Sequence, residues 1–330
     1  MRALVAGAAG MIGSHVAEAL LRRGDEVVCV DDLSTGQASN LALLERLGAT
    51  TVVADVCGPL PPVGRTDAVL HLASPASPRH FATMGPEILR VGSEGTLRLL
   101  DRACADGARF LLASTSEVYG EPLEHPQRED HRGNVSTTGP RACYDEAKRF
   151  AEAAATTYER QLGADVRIAR IFNTYGPRLH PDDGRVVVSL LSQALLGRPV
   201  TVHGDGSQTR CFCYVDDQVR GLLALLDSDV RGPVNIGSDD EHTITELVAA
   251  IGRVLGREVA VERRPAPPDD PTRRRPSLER AQSLLGWEPT VPLELGLART
   301  ADWLRIELAS QGGRAAASTS RRDTSDAPTR

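Results

Sequence analysis

Gly7, Gly10 and Gly13 lie between a short apolar run, Arg2–Ala6, and a helical pattern over Met11–Arg23. This spacing leaves a chain few folds to choose from. The first glycine permits a tight turn, the second lets backbone approach a pyrophosphate, and the third lets helix and strand pack closely. The helix N-terminus, opened by Met11 and Ile12, then faces the anion. A second apolar strand, Glu26–Val30, ends at Asp31, about 20 residues further on. A carboxylate there can accept both hydroxyls of an adenosine ribose and repels a 2′-phosphate, which predicts NAD rather than NADP. An ordinary turn of an α/β protein is the other reading of the glycines alone.

Further strands are expected at Thr51–Val53, Ala68–Leu72, Phe110–Ala113 and Val166–Ile171, with helices at Leu97–Ala105 and Tyr144–Gln161 between them. Continuous apolar strands joined by helical crossovers imply a parallel sheet covered on both faces. The second half is less regular. Val186–Leu196 and Val219–Leu226 look helical, and Thr243-Ile-Thr-Glu246 is a capping box opening a helix through Leu255. Arg263–Pro276 is expected to be a loop, and Leu293–Leu308 the last helix. Ser310–Arg330 carries almost no large apolar residue and is expected to be disordered.

At 330 residues the chain can hold two packed lobes. Its formal charge of −6 argues against a nucleic-acid or anionic-membrane partner. No secretory leader and no bilayer-length apolar run is visible, and the six cysteines lack metal spacing. A cytoplasmic protein with reduced thiols and no metal is the expectation.

Tyr144 and Lys148 stand four apart at the start of a helix and so share a face. A neighbouring ammonium and a nicotinium cation are expected to favour the phenolate of a tyrosine, which otherwise titrates near ~10. A solvent-exposed helix pair is the alternative for these two residues alone. Upstream, Ser114-Thr115-Ser116-Glu117 ends the strand from Phe110. A hydroxyl there can hydrogen-bond an alcohol being oxidised, and a carboxylate can act as acid or base. Together these residues specify hydride chemistry on a secondary alcohol.

The chain resembles the extended short-chain dehydrogenase/reductases, and within them the UDP-glucuronate decarboxylases, also called UDP-xylose synthases. The resemblance rests on His71-Leu-Ala-Ser-Pro-Ala-Ser-Pro78, Leu112–Gly120, Gly139-Pro-Arg-Ala-Cys-Tyr-Asp-Glu146, Ala169–Arg178, Asp183–Val187 and Gly206–Arg210, and spans about residues 1–308. It implies a Rossmann-type doubly wound parallel sheet with a smaller C-terminal substrate-binding domain. The NAD-binding part would comprise 1–174 plus about 211–236, and the sugar-nucleotide part 175–210 plus 237–309, with 310–330 as the tail. It also implies a homodimer through Leu97–Ala105 with its flanks and Tyr144–Gln161.

For the site, the resemblance implies that Tyr144 takes the proton of the sugar 4-hydroxyl, that Lys148 holds the nicotinamide ribose, and that Thr115 hydrogen-bonds the 4-oxygen. Glu117, with Ser116 beside it, would handle protons at the ring, and Arg274 would meet the substrate carboxylate. Arg273 and Arg275 compete for that register. NAD would further touch Asp32, Val56, Leu72, Ala73 and Ser74. Asp55 could reach the adenine or cap a loop. Pro75, Asn173, Arg178, Arg185, Gln208, Arg210 and Tyr214 would hold the nucleotide sugar. The implied reaction is conversion of UDP-glucuronate to UDP-xylose and CO2: oxidation at carbon 4, decarboxylation of the 4-keto acid, and re-reduction by NADH, with some UDP-4-keto-pentose able to escape.

Departures from the family pattern include Val188-Ser189-Leu190 after Arg185, near the base, so uracil is not the only nucleobase to consider. A 4,6-dehydratase would need a better proton donor than Ser116 beside Glu117. A 4-epimerase has no use for an arginine aimed at a carboxylate. A non-catalytic NAD-binding scaffold would have no need of Tyr144 and Lys148.

Overall fold

The computed structural model describes residues 1–265 and 273–322, with side chains described through Ser310. The first half runs β1 (Arg2–Ala6), α1 (Met11–Arg22), β2 (Glu26–Asp31), α2 (Ala38–Arg46), β3 (Thr50–Val53), β4 (Ala68–His71), α3 (Pro78–Phe81), α4 (Gly85–Arg90), α5 (Thr96–Asp106), β5 (Arg109–Thr115), α6 (Ala142–Leu162) and β6 (Val166–Ile171). The second half runs β7 (Thr174–Tyr175), α7 (Val186–Leu195), β8 (Val200–His203), β9 (Thr209–Cys211), β10 (Cys213–Tyr214), α8 (Val215–Asp227), β11 (Pro233–Ile236), β12 (Glu241–Thr243), α9 (Ile244–Leu255), β13 (Val261–Arg264), β14 (Arg273–Arg274), α10 (Glu279–Leu285) and α11 (Leu293–Arg322).

Seven strands form one sheet in the order β3-β2-β1-β4-β5-β6-β11, every neighbouring pair parallel. Most positions of β1, β2, β4 and β5 are apolar because helices cover both faces; all four residues of β4 are buried. The strand order reverses between β1 and β4. A crevice therefore opens beyond their C-terminal ends, where ligands of such sheets bind.

Helix α6 carries Tyr144, Ala147, Lys148, Ala151 and Ala155 on its buried face. A π-helical turn, Val91–Gly95, joins α4 to α5. It brings Gly92 against α6 so closely that a Cβ there would sit 2.6 Å from that of Ala147. Behind α6, Arg170 of β6 grips Glu152 with two hydrogen bonds of 2.9 and 2.8 Å. Beyond β6, helices α7, α9 and α11 share a continuous apolar core with the α1–α8 side of the sheet. β11 then returns to the main sheet beside β6, after β8 and β9 have been laid down.

Several boundaries differ from expectation. Within the expected loop Arg263–Pro276, β13 pairs with β8 and β14 with β9; residues 266–272 lie outside the described ones. α11 continues to Arg322, past the Leu308 end that the apolar pattern suggested and into the segment expected to be structureless. Its alanines are strong helix formers even where no apolar stripe marks them. The capping box at Thr243 forms as expected, with Glu246 N–H donating to Thr243 Oγ1 at 3.0 Å.

Candidate active site

The glycine turn leaves β1 with Gly7 at φ +84°. A Cβ on Gly7 would lie 2.5 Å from the backbone nitrogen of Ala73, and one on Gly13 would overlap the Gly7 carbonyl. Backbone thus forms an open cradle that side chains would fill. Asp31 stands buried at its rim, its oxygens accepting N–H bonds of 2.9 Å from Ala9 and Leu33. A carboxylate has lone pairs beyond those two bonds. Gly10, Asp32, Asp55, Val56, Leu72, Ala73, Ser74 and Pro75 line the same cleft. These residues fit the adenosine and pyrophosphate of a dinucleotide. Asp32 mainly stiffens the rim, accepting from Ser34 N and Oγ at 2.9 and 2.7 Å. Met11 is in the core, whereas Ile12 reaches the neighbouring cavity.

That cavity, about 490 Å³, is lined by Ile12, Leu72, Ser74, Thr115, Ser116, Glu117, Arg141, Tyr144, Lys148, Asn173, Arg185, Gln208, Arg210 and Arg274, among others. Leu72 and Ser74 line both spaces, so a dinucleotide in the cradle would reach the cavity.

Tyr144 is buried. Burial pushes its phenol up to about 12, although a hydrogen bond with Thr115 favours the phenolate. The expected lowering by Lys148 is not what the protein alone provides. Lys148 Nζ donates to the Ala113 carbonyl at 2.9 Å and lies 5.9 Å from the centre of the Tyr144 ring. Burial brings its own pKa down to about 8. Phe81 stacks on Tyr144 at 5.1 Å, with 17° between the planes.

Glu117 sits on the 3-10 turn after β5, where Thr115 Oγ1 accepts its N–H at 3.2 Å. Burial raises its carboxyl, but the Arg274 and Arg141 guanidiniums outweigh burial and hold it down to about 2. Arg141 Nη2 donates to it at 2.5 Å, and Arg274 Nη1 donates to its other oxygen. Of the three consecutive arginines, Arg274 is the one buried at Glu117, and Arg273 is exposed. Among the described residues, Arg274 Nη2 is buried with no hydrogen-bond partner. Asp145 is also buried; burial and then Glu117 push its carboxyl up to about 7.

Three expected substrate residues are not among the cavity's lining: Pro75, which lines the cofactor cleft, Arg178 and Tyr214. Arg178 pairs with Glu18 of α1 instead, and Tyr214 is buried among Tyr175 and Arg299. Their sequence neighbours Leu179 and Phe212 do reach the cavity. Arg141, Phe81 and Asp145 were not singled out as site residues. Arg141 had a signal, standing three positions before Tyr144 and so on its helical side. Phe81 had none, because its contact depends on how the loop after β4 folds back.

The model of the NAD dependent epimerase/dehydratase family matches residues 3–237. UDP-glucuronic acid decarboxylase 1 of Danio rerio is 46% identical over 311 residues, 94% of this chain and 74% of that protein. Among solved structures, UDP-glucose 4-epimerase of Thermotoga maritima superposes with a TM-score of 0.87 at 29% identity, over 93% of this chain and 100% of that one. UDP-glucuronic acid 4-epimerase of Bacillus cereus, solved with UDP-glucuronic acid and NAD, gives 0.85 at 28% identity, over 93% and 99%.

Proposed function

The chain belongs to the NAD dependent epimerase/dehydratase family, and from that premise we propose that it converts UDP-glucuronate to UDP-xylose and carbon dioxide. The observation that supports this reading is Arg274, a buried guanidinium facing the cavity beside Glu117 and Tyr144, with Nη2 unpartnered among the described residues. A buried donor of that kind calls for an anion, and a sugar carboxylate meets it with a planar fork. The decarboxylase relatives point the same way.

NAD is the cofactor; Gly7, Gly10, Asp31, Leu72, Ala73 and Ser74 would hold it, and it would supply a reversible hydride acceptor for sugar carbon 4. In this reading Tyr144 accepts the proton of the 4-hydroxyl while Thr115 hydrogen-bonds the 4-oxygen. Lys148 places a cation behind Tyr144. The 4-ketone makes the substrate a β-keto acid: the C5–C6 bond breaks, its electron pair moves towards the 4-oxygen, and CO2 leaves. Tyr144 and Thr115 then stabilise the oxygen of the enolate. A proton is delivered to C5, with Glu117 ordering the groups around it. Asn173, Arg185, Gln208 and Arg210 hold the nucleoside diphosphate at the other end of the cavity.

The same reading places the enzyme in the cytoplasm as a homodimer. The six cysteines are free, as in a reducing compartment. Leu89 on α4 and Phe150 on α6 are exposed apolar side chains of the helices a second copy would cover.

Incubation with UDP-glucuronate and NAD, followed by mass spectrometry of the nucleotides, tests the reaction. Loss of CO2 to give UDP-pentose is the expected result. A product of unchanged mass but inverted at carbon 4 would make the protein an epimerase instead.

A further inference from the structure

Arg178 lies in a motif expected to hold the nucleotide sugar, yet its side chain turns to the cofactor side, where Nη2 donates to Glu18 of α1. Its backbone is left-handed, at φ +67°. A residue with a Cβ keeps that conformation only where its surroundings hold it. What holds it is a pair of side-chain amides at the start of α2. Gln37 Nε2 donates to the Arg178 carbonyl at 3.0 Å, and Nδ2 of the buried Asn40 donates to it at 3.3 Å. The other hydrogen of Asn40 Nδ2 goes to the Ala9 carbonyl at 2.8 Å. Ala9 belongs to the glycine turn, and its own N–H donates to Asp31 at 2.9 Å. One amide thus spans the cofactor cradle and the segment 176–185 between β7 and α7. That segment brings Leu179, Gly184 and Arg185 to the cavity. Its far end is fastened to the cofactor side as well: Ser77, close after the Ser74 that lines both spaces, donates to the Asp183 carbonyl.

We propose that Arg178 and its two amides couple the cofactor site to the diphosphate end of the cavity. This rests on the nucleotide-sugar reading above. With NAD in the cradle, Ala9 and Asp31 are fixed, and Asn40 is fixed with them. The strained Arg178 backbone is then held in its clasped form, with Arg185 in place for a nucleoside diphosphate. With the cradle empty, Ala9 can shift, the clasp weakens, and Arg178 relaxes towards ordinary backbone, taking Leu179 and Arg185 with it. The coupling is reciprocal: a diphosphate that fixes Arg185 keeps the clasp shut and tightens NAD by the same factor. Gln37, Asn40 and Arg178 are positioning residues in this scheme, since none of them lines the cavity or the cofactor cleft.

The test is fluorescence titration with NAD, in the absence of UDP and with UDP at saturation. UDP lacks the sugar that would meet the nicotinamide, so its effect on NAD passes through the protein. In the wild type, UDP is expected to tighten NAD by about fivefold or more. Gln37→Ala cuts the clasp on the substrate side alone, because Gln37 reaches Ala9 through its backbone N–H. NAD affinity without UDP is expected to stay within about twofold of wild type, while the gain from UDP falls by about half or more. Asn40→Leu removes both arms, so NAD is expected to weaken without UDP and the gain from UDP to vanish. A wild type whose NAD affinity is indifferent to bound UDP overturns the proposal. So do variants that keep the full gain, which would leave the clasp a structural tie. The two readings fail differently. A wild type that binds no UDP sinks the nucleotide-sugar reading and this inference with it; one that binds UDP without tightening NAD sinks only this inference.

Discussion

With burial holding its phenol at about 12, Tyr144 is neutral at physiological pH in the protein alone, and the groups around it decide when that changes. The structure supplies a hydrogen bond from Thr115 and the nearby ammonium of Lys148, while the anionic Glu117 works against the phenolate. Replacing Tyr144 with Phe removes the only proton acceptor placed at the 4-oxygen in this reading. The expected outcome is a fall in kcat of about a thousandfold with UDP-glucuronate binding retained, measured by single turnover beside calorimetry. Asp145 offers a stability test. Its folded-state pKa, about 7, lies above the ordinary 3.8, so unfolding releases a proton between those values. Below pH 3.8 the residue has no effect; as pH rises to about 7 the folded state is progressively disfavoured, and the penalty then levels off. Asp145→Asn should therefore gain stability over the wild type through that window, on the order of 4 kcal/mol at the plateau. Urea melts at pH 4, 6 and 8 would show the widening gap, and a constant gap would contradict it. Tyr144, Lys148, Thr115 and Glu117 were readable because their partnership is written in local spacing. Arg141 was half readable, and Phe81 unreadable, because a ring that folds back over Tyr144 leaves no period in the chain.

At the scale of elements, the turn from β1 into α1 is the most tightly specified piece. Gly13→Ala puts a methyl into the Gly7 carbonyl, so helix and strand must part. Overpacking of this kind costs about 1–3 kcal/mol, and here it is expected to appear as NAD binding weakened roughly tenfold or more. Fluorescence titration with NAD, with circular dichroism to show an intact fold, checks it. The same turn was legible in the sequence, as were β1, β2, β4, β5 and β6, because strands buried on both faces are apolar at most positions, with Arg167 and Arg170 of β6 as buried exceptions. α2 was not read: Asn40 sits on its buried face, donating to the Ala9 carbonyl at 2.8 Å, and blurs the pattern. β8, β13 and β14 were missed for a related reason. They are short, β13 is exposed throughout, and their pairing partners lie far along the chain.

The whole molecule assembles the carboxylate end of the site from three distant stretches. Glu117 and Arg141 come from the first half, and Arg274 arrives after a further 133 positions beyond Arg141. What anchors Arg274 is Gln127, fully buried, whose Oε1 accepts the Arg275 N–H at 2.8 Å and whose backbone pairs with Arg275 and Ser277. Asn235, at the end of β11, clasps the same joint through the Gln127 and Ser277 carbonyls at 3.0 and 3.2 Å. Gln127→Ala should loosen Arg274 while sparing the distant NAD cradle. KM for UDP-glucuronate is expected to rise roughly tenfold with NAD affinity unchanged, which steady-state kinetics and a cofactor titration would separate. A parallel loss of NAD binding would point to general unfolding instead.

The return of the chain to lay β11 beside β6 bears on how proteins of this shape can diverge. A single crossover between two relatives of different sugar preference, placed between β6 and β8, would take the edge strand along with the segments on either side of it and seat a foreign strand in the sheet. Exchanging the segments on both sides of β11 while keeping the parental sheet needs three junctions, one between β6 and β8 and one on each side of β11. Single-base changes at residues that line the cavity carry no such constraint. New substrates in this lineage are therefore expected to arise by substitution more readily than by shuffling, and laboratory recombination libraries built with one breakpoint should yield fewer folded members than those built with three at these junctions.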